Sequence, residues 1–503
     1  MYLSKSLYCD FRTCPKLAWL NRYKPDEAET DDALLLRMDA GTEVGELAKG
    51  LFGNYVDVSI KENGKPMLSF MLERTQEEIA KGTEVICEAA FSFEGLYCAV
   101  DILRKTENGW AIYEVKSSTH PEKEARYMAD VSYQKYVLEH CGLVIDGVYI
   151  VYINNQYIRD TELNIHELFS IINASELIKD EFKLIEQTLK NAESVMTSPC
   201  EPSIRITSKC GRAGDCPFWR YCTKDLPSPS VFDLYRTSME EKVALYNSNV
   251  VSFQDLFEKG QFSNDISRRQ VLYGLGYRIG LYINSDMLRE FMDTLSYPLF
   301  FLDFETEQPV IPRYSGTRPY QQIPFQYSLH YIEEKGGDLK HKEYLGNSVD
   351  DPRRAFAERL CRDIPLNSCT IVYNKAFECA RLRELANDFS EFKDRLLNIR
   401  DNIKDLYEPF RKGAVYNKEM GGSFSIKSVL PALFPDDPDL DYHNLEGVHN
   451  GGEAMAIYPL IPSLPAEEQE KTRRDLLKYC ELDTFAMVRI WQELSDLLSF
   501  SGS

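Results

Sequence analysis

The chain has 503 residues, of which 44% are hydrophobic and 27% charged, a length for two or three domains with sizeable cores and a composition ordinary for a globular protein. Its formal net charge of −21, from 58 basic and 79 acidic side chains, counts against nonspecific whole-surface binding to nucleic acid and leaves a local basic channel as the form such binding would take. The N-terminal MYLSKSLYCDFR lacks the apolar core of a signal peptide and no apolar run reaches membrane-spanning length, so a cytoplasmic protein without membrane association is expected. In that compartment 13 cysteines point to metal binding or reactivity more than to disulfides.

From Leu7 to Arg22 the pattern LYCDFRTCPKLAWLNR predicts a short helix with Leu17, Trp19 and Leu20 inward and Cys14 just ahead of Pro15. The stretch from Leu96 to Ser118, LYCAVDILRKTENGWAIYEVKSS, reads as two apolar strands joined by Asn108-Gly109, a strong hairpin signal. With those two residues as the turn, Glu107 faces Trp110, Leu103 faces Glu114 and Asp101 faces Lys116. Asp101, Glu114 and Lys116 then share one sheet face, whereas a turn longer by one residue would send Asp101 to the other. Two carboxylates can hold a Mg²⁺ that keeps most of its waters, and the lysine can position a water or neutralise charge developing on a phosphate. The apolar flanks of both strands set this trio apart from an ordinary surface hairpin.

Asp101 followed by Glu114-Val115-Lys116 resembles the PD-(D/E)XK nuclease signature in its RecB-like branch. Upstream, Gly41-Thr42-Glu43-Val44-Gly45-Glu46 resembles that branch's first motif, which implies Glu46 as a further metal ligand; Gly45 stands where the family often has histidine. Gln134 in VSYQKYVLEH resembles the Gln-x-x-x-Tyr motif and is implied near the substrate, with Leu138 at the tyrosine position and Tyr133 and Tyr136 displaced from it. The segment from Leu168 to Met196 reads as helical, with Leu177, Phe182, Leu184, Ile185 and Leu189 as an apolar stripe that packs rather than catalyses.

Cys210, Cys216 and Cys222 lie in KCGRAGDCPFWRYC with five residues in each gap. With Cys14 they make four thiolates able to hold a [4Fe-4S] cluster; the competing structural zinc site usually spaces paired cysteines by two to four residues. The placement resembles iron-sulfur members of the RecB-like branch, including CRISPR adaptation nucleases and a helicase-nuclease subunit, which use one early and three late cysteines around the nuclease core. Cys9 is an alternative to Cys14, and Cys200 to a member of the triplet; the CPKLAWL context favours Cys14. Cys87, Cys98, Cys141, Cys361, Cys369, Cys379 and Cys480 read as buried free thiols.

A break follows in KDLPSPSVFD, and from Val231 to about Asp293 short helical patterns alternate with polar turns, a connecting helical module. In YPLFFLDFETEQP a buried strand ends on Asp303 and Glu305, which share a face and would need a partner such as a metal. CTIVYNKAFECARLRELA reads as strand then helix, with Asn374 at the junction and Glu378 on the first helical turn. RRDLLKYCELDTFAMVRIWQEL reads as an amphipathic helix on which Tyr479 and Asp483, four apart, share a face.

This set resembles the DEDD exonuclease family of ribonuclease H-like fold, in the subclass with tyrosine before the last aspartate. The resemblance implies that Asp303, Glu305, Glu378 and Asp483 bind two Mg²⁺ or Mn²⁺ ions and that Tyr479 orients the attacking water. Such ions stand about 3.5–4 Å apart and stabilise both the attacking and leaving oxygens. Lys478 occupies the position of the histidine subclass, and Glu378 stands where the family usually has aspartate. Gln326 and Ser328 in IPFQYSLHY, with Asn374, are candidate nucleotide contacts. Asp405 in IKDLYEPF reads as a local helix residue, and Lys427 and the run Lys471 to Arg474 as solvated cations.

The expectation is therefore an α/β protein with a RecB-like, restriction-endonuclease-type domain over 1–225, a helical connecting segment over 226–293, and a ribonuclease H-like domain over 294–503. The expected activity is metal-dependent hydrolysis of DNA or RNA phosphodiesters, from 3′ ends at the C-terminal site. The rival is a nucleic-acid-binding or complex-forming protein with one or both sites inactive.

Overall fold

The computed structural model describes residues 3–29, 32–62, 65–121, 124–210 and 216–500. The architecture is mixed α/β in two compact units: Met1–Lys224 with Pro309–Gln321, and Asp225–Gln308 with Gln322–Ser503. Among the described residues, no helix is long and apolar enough to cross a membrane.

In the first unit the strands are β1 (Leu3–Ser4), β2 (Val56–Asp57), a small hairpin of β3 (Lys61–Glu62) and β4 (Lys65–Pro66), then β5 (Val85–Phe93), β6 (Leu96–Lys105), β7 (Trp110–Lys116), β8 (Ile145–Ile153) and β9 (Phe169–Asn173). The main sheet has the order β2-β5-β6-β7-β8-β9, with β1 beside β6. The helices are α1 (Lys5–Thr13), α2 (Pro15–Tyr23), α3 (Asp32–Ala48), α4 (Leu68–Lys81), α5 (Ala125–His140), α6 (Ile165–Leu168), α7 (Lys179–Lys183), α8 (Ile185–Thr197) and α9 (Trp219–Thr223). Strands β7 and β8 are parallel and α5 makes the crossover between them. Ile112 of β7 packs with Tyr8 and Tyr133 of α1 and α5 on one face, while Ala111 and Tyr113 pack with Val44 and Ala48 of α3 on the other. Period-two alternation thus separates two apolar layers, and Val310 and Ile311 complete the second.

Several expectations are corrected here. The single N-terminal helix is two, broken at Cys14, whose extended backbone ends α1 and opens α2 with Pro15 at its first position. The helix expected from Leu168 onward begins instead as strand β9, recruited by antiparallel pairing with β8, and Leu177 and Leu184 are exposed. The hairpin register is Lys105↔Trp110 and Ile102↔Tyr113, so four residues, not two, make the turn. The cause is local. The Trp110 amide donates to the Val144 carbonyl at 2.9 Å, and a Cβ at Gly109 would run into that same carbonyl. The shift is an even number of residues, so Asp101 now stands opposite Glu114 and keeps its face.

The second unit opens with α10 (Met239–Asn247), α11 (Phe253–Lys259) and α12 (Asp265–Gly274), each begun by a capping box at Ser238, Ser252 or Asn264. Val231, Leu234, Val250, Phe253, Leu256 and Val271 form their own small core. Then come β10 (Tyr282–Ile283), α13 (Ser285–Met292), β11 (Leu299–Glu307), β12 (Ile323–Ile332), β13 (Lys340–Leu345), α14 (Arg353–Asp363), β14 (Cys369–Val372), α15 (Ala376–Asp388), α16 (Lys393–Asp401), β15 (Ile403–Asp405), α17 (Glu408–Arg411), β16 (Val415–Tyr416), α18 (Ile426–Leu433), α19 (Gly451–Ile457) and α20 (Ala466–Phe500). The sheet order is β13-β12-β11-β14-β15, and only β12 runs against the others. Leu299 and Phe301 face a core shared with α13, α18 and α20, whereas Phe300, Leu302 and Phe304 face α14, α15 and α16. Asp405 lies on β15, not on a helix; its carboxylate accepts from the Asn374 and Tyr407 amides at 2.9 and 3.1 Å.

Candidate functional site

In the second unit, Asp303 and Glu305 lie on the α20 face of β11, Glu378 sits on the first turn of α15, and Tyr479 and Asp483 project from α20. All five, with Asn374 and Lys427, line one cavity of about 330 Å³. Its acids are crowded. Glu305, Glu378 and Asp483 are buried, and Glu378 Oε2 has no hydrogen-bond partner. Burial, then Asp483 and Glu305, hold Asp303 well above the usual carboxylate range. Burial and Asp483 push Glu305 up to about 8, and burial and Asp405 push Glu378 up to about 8. Asp483 is also raised by burial, against hydrogen bonds from Tyr442 and Tyr479 and the charge of Lys427. Glu305 Oε2 lies where a Cβ on Gly451 would be 3.4 Å away, so glycine lets the start of α19 approach the acid.

Three contributors were outside the expectation. Tyr442 donates to Asp483 Oδ1 at 2.5 Å from the loop before α19, and no periodic pattern marks it. Cys480, expected as a buried free thiol, is buried but lies 3.8 Å from both the backbone oxygen and Oδ2 of Asp303; its ligand atom and those of Asp303 and Glu305 fall within 4.8 Å of one another. Lys427, expected to be solvated, lines the cavity, with Nζ 2.9 Å from the His449 carbonyl and 5.0 and 5.3 Å from the Tyr442 and Tyr479 rings. Conversely, Gln326 and Ser328 are buried beneath α20. Gln326 donates to the Leu476 carbonyl at 2.7 Å and Ser328 bonds Thr484 at 2.7 Å, so neither reaches the cavity. Arg473, in the run from Lys471 to Arg474, is tied to the Gly346 carbonyl at 2.7 Å.

In the first unit, Asp101, Glu114 and Lys116 meet on the α5 face. Glu114, fully buried at the end of β7, receives Lys116 Nζ at 2.6 Å and Lys5 Nζ at 2.9 Å on Oε1, and Gln134 Nε2 at 2.6 Å on Oε2. Lys116 also reaches Asp130 Oδ2 at 2.7 Å, and the Val115 amide holds Asp101 Oδ2 at 2.7 Å. Burial, then Asp101 and Asp130, push Glu114 up to about 7, with the two lysines opposing. For Asp130 the lysines outweigh burial and its carboxyl falls well below the usual range.

Asp130 and Lys5 were missed. Asp130 precedes Gln134 by one helical turn, a spacing that marks it. Lys5 has no such signal; the pairing of β1 with β6 places it. Glu88 adds a further acid beside Asp101: the β5–β6 register skips it, and its φ of +57° is a left-handed conformation rarely adopted outside glycine. Glu46, by contrast, does not join the set. Its carboxylate pairs with Lys49 at 2.6 Å and stays largely exposed, on a helix packed against the opposite sheet face.

Cys14, Cys216 and Cys222 pack around Leu17, Trp19, Leu20, Phe218 and Tyr221. Burial raises Cys216, and burial raises Cys222 to about 11, with Cys14 and Cys210 among the charges each feels, so the four thiols are neighbours. Among the described residues no three of them come within 4.8 Å of one another. Cys9 instead enters the sheet core and Cys200 is exposed.

Comparison with known proteins finds uncharacterized relatives. A family model described as a domain of unknown function, DUF2779, matches residues 300–425, the stretch that carries Asp303, Glu305 and Glu378. The chain is 29% identical over 215 residues to the uncharacterized protein MG366 of Mycoplasma genitalium, covering 39% of this chain and 32% of the relative. It is 27% identical over 212 residues to the uncharacterized protein UU173 of Ureaplasma parvum, covering 38% and 30%. The match thus spans about a third of each curated relative's length.

Proposed function

We propose that the protein is a metal-dependent nuclease whose principal site is the carboxylate cavity of the second unit, acting as a 3′-5′ exonuclease of the DEDD type on DNA or RNA. The observation that carries this reading is the convergence of four carboxylates from three elements on one cavity with a single lysine, one acid oxygen being without a partner. Buried carboxylates of this number call for cations. The sheet, with order third-second-first-fourth-fifth and only the second strand reversed, is consistent with a ribonuclease H-like fold.

Asp303, Glu305, Glu378 and Asp483 would hold Mg²⁺ or Mn²⁺, which supply charge neutralisation at the phosphate and lower the pKa of water. The chain's own residues have separable tasks. Tyr479, its hydroxyl held protonated by burial and by Asp483, donates one hydrogen bond and can accept another from a water it orients. Lys427 places a positive charge over the cavity for a non-bridging phosphate oxygen. Asn374, with φ of +74°, lines the cavity from the strand–helix junction and offers an amide to the nucleotide.

The first unit fits a RecB-like PD-(D/E)XK domain, with a [4Fe-4S] cluster held by Cys14, Cys210, Cys216 and Cys222 joining its two ends. Here Asp101 and Glu114 would take the metal and Lys116 the phosphate. A binding role for this unit has one observation of its own in favour: Lys5, Lys116 and Gln134 already satisfy both oxygens of Glu114. Beside it a cavity of about 960 Å³ is lined by Arg126, Tyr127, Asn155, Arg318 and Tyr320 among others, cations and rings suited to a single strand.

The test is degradation of end-labelled DNA and RNA with Mg²⁺ or Mn²⁺ by wild type, Asp303→Asn and Glu114→Gln. Loss of 3′-end trimming in Asp303→Asn alone supports the exonuclease reading with a binding first unit; loss of a separate cleavage in Glu114→Gln supports two active sites. Unchanged degradation in both variants would refute the assignments, and no degradation by folded, metal-loaded wild type would leave the binding protein.

A further inference from the structure

On the outer part of the second unit's sheet, His330 of β12 and His341 of β13 are registered partners whose rings stand 4.5 Å apart. Glu481 of α20 faces them, and one ligand atom from each of the three lies within 4.8 Å of the others. The second ring nitrogens are already committed. His330 Nδ1 bonds Thr484 Oγ1 at 2.8 Å, His341 Nε2 bonds Ser328 Oγ at 2.9 Å, and the two hydroxyls bond each other at 2.7 Å. With His330 Nδ1 and His341 Nε2 as the donors in these bonds, His330 Nε2 and His341 Nδ1 carry the free lone pairs, and His341 Nδ1 is 3.9 Å from Glu481 Oε1. That separation is too long for a hydrogen bond and lies a few tenths of an ångström beyond the roughly 3.3–3.6 Å between two tetrahedral ligands at bonds of about 2.0–2.2 Å, a gap that a rotation of the exposed Glu481 side chain closes.

We propose that His330, His341 and Glu481 form a site for one divalent first-row transition metal, with Zn²⁺ the best chemical match. Two imidazoles fixed by hydroxyls and one carboxylate, with a fourth position open, are the donors of a borderline ion; Mg²⁺ prefers an all-oxygen shell. The graded exposure agrees with an ion entering from solvent: His330 is buried, His341 half-buried and Glu481 exposed. Glu343 of β13 faces the same group and is raised by burial and by Glu481, against the pull of His341, a second carboxylate within electrostatic reach. An ion here would fasten α20 to β12 and β13, and α20 carries Tyr479 and Asp483. The site would act as a clamp on the helix that completes the cavity.

The experiment is titration of the full, metal-stripped chain with Co²⁺ under saturating Mg²⁺, followed by visible spectroscopy and Zn²⁺ competition, in wild type, His341→Ala and Glu481→Gln. Imidazole and carboxylate ligands give ligand-field bands without the thiolate charge-transfer band of the cysteine cage. Wild type is expected to show a Zn²⁺-competable band of one ion per chain that disappears in His341→Ala and weakens by at least about tenfold in affinity in Glu481→Gln. Should His341→Ala fail to fold by circular dichroism, Glu481→Gln decides alone, since that side chain lies on an exposed helical position. Equal bands and affinities in wild type and the folded variants, or no such band in wild type, overturn the proposal. Nuclease activity is not the readout, so this outcome is independent of the proposed function.

Discussion

Tyr442 donates its hydroxyl to Asp483 Oδ1 at 2.5 Å, so the last acid of the cavity is aimed by a residue from a loop that packs above α20. Tyr442→Phe keeps the ring and removes the bond. Outer partners of this kind affect metal affinity or rate by about 10–100-fold. The expected result is a loss of 3′-end trimming in that range at fixed Mn²⁺, partly restored by higher Mn²⁺, with an unchanged circular dichroism spectrum. Full activity at limiting Mn²⁺ would remove Tyr442 from the machinery.

The raised carboxyls make the metal-free protein sensitive to pH. Glu305 and Glu378 hold protons up to about 8 in the folded state, whereas an unfolded glutamate loses its proton near 4.3. The folded chain therefore binds more protons, so this contribution is complete below about pH 4.3 and is lost as pH rises towards 8. Glu305→Gln cannot ionise there. In chelator at pH 8.5 it is expected to melt above wild type, at about 2–4 °C for each kcal/mol gained, while losing activity. Calorimetry in which wild type melts above the variant would contradict the electrostatic account.

Metal binding should release protons for the same reason. At pH 7 the acids of the cavity are partly protonated, and an incoming Mn²⁺ displaces those protons. Titration calorimetry in buffers of different ionisation enthalpy should show net proton release at pH 7 and less at pH 9. A value that does not change with pH would place the binding elsewhere.

Cys216→Ser is expected to lose iron from anaerobically purified protein and to lower the melting of the first unit, whereas Cys200→Ser, at an exposed position, should do neither. If the cluster contributes about 2 kcal/mol, the drop would be about 4–8 °C. A colourless, zinc-loaded wild type would reject the iron-sulfur assignment.

Lys5→Met tests the first unit. Glu114 near 7 is held down by Lys116 and Lys5 against burial, Asp101 and Asp130. Removing one cation should raise it further, seen as a shift of the carboxyl signal that Glu114→Gln eliminates in carbon-13 spectra of glutamate-labelled protein. No shift would mean that Lys5 does not act on Glu114.

What was legible in the sequence was local geometry. Asp303 and Glu305 end an apolar strand two residues apart, so their common face follows from the pleat, and Tyr479 and Asp483 share a face by helical spacing. The facing of Asp101, Glu114 and Lys116 survived a wrong turn length because the error was even. What escaped depends on contacts far apart in the chain. Lys5 reaches Glu114 through the pairing of a two-residue strand, and Tyr442 reaches Asp483 from a loop without periodicity. Lys427 looks solvated until α18 is set against the cavity. The misreading of β9 has the same origin, since five residues between helical patterns become a strand only when β8 offers its edge.

The thirteen residues from Pro309 to Gln321 belong to the first unit although they are strung between β11 and β12 of the second. Val310 and Ile311 fill the layer under α3, and Pro312 accepts from Arg159 Nη1 at 2.7 Å. No single cut can therefore separate the two units intact. A fragment ending at residue 224 lacks part of its own core, and a gene rearrangement that exchanged one half for a homologue would damage both. A truncation meant to isolate either unit must therefore carry or replace the segment Pro309–Gln321.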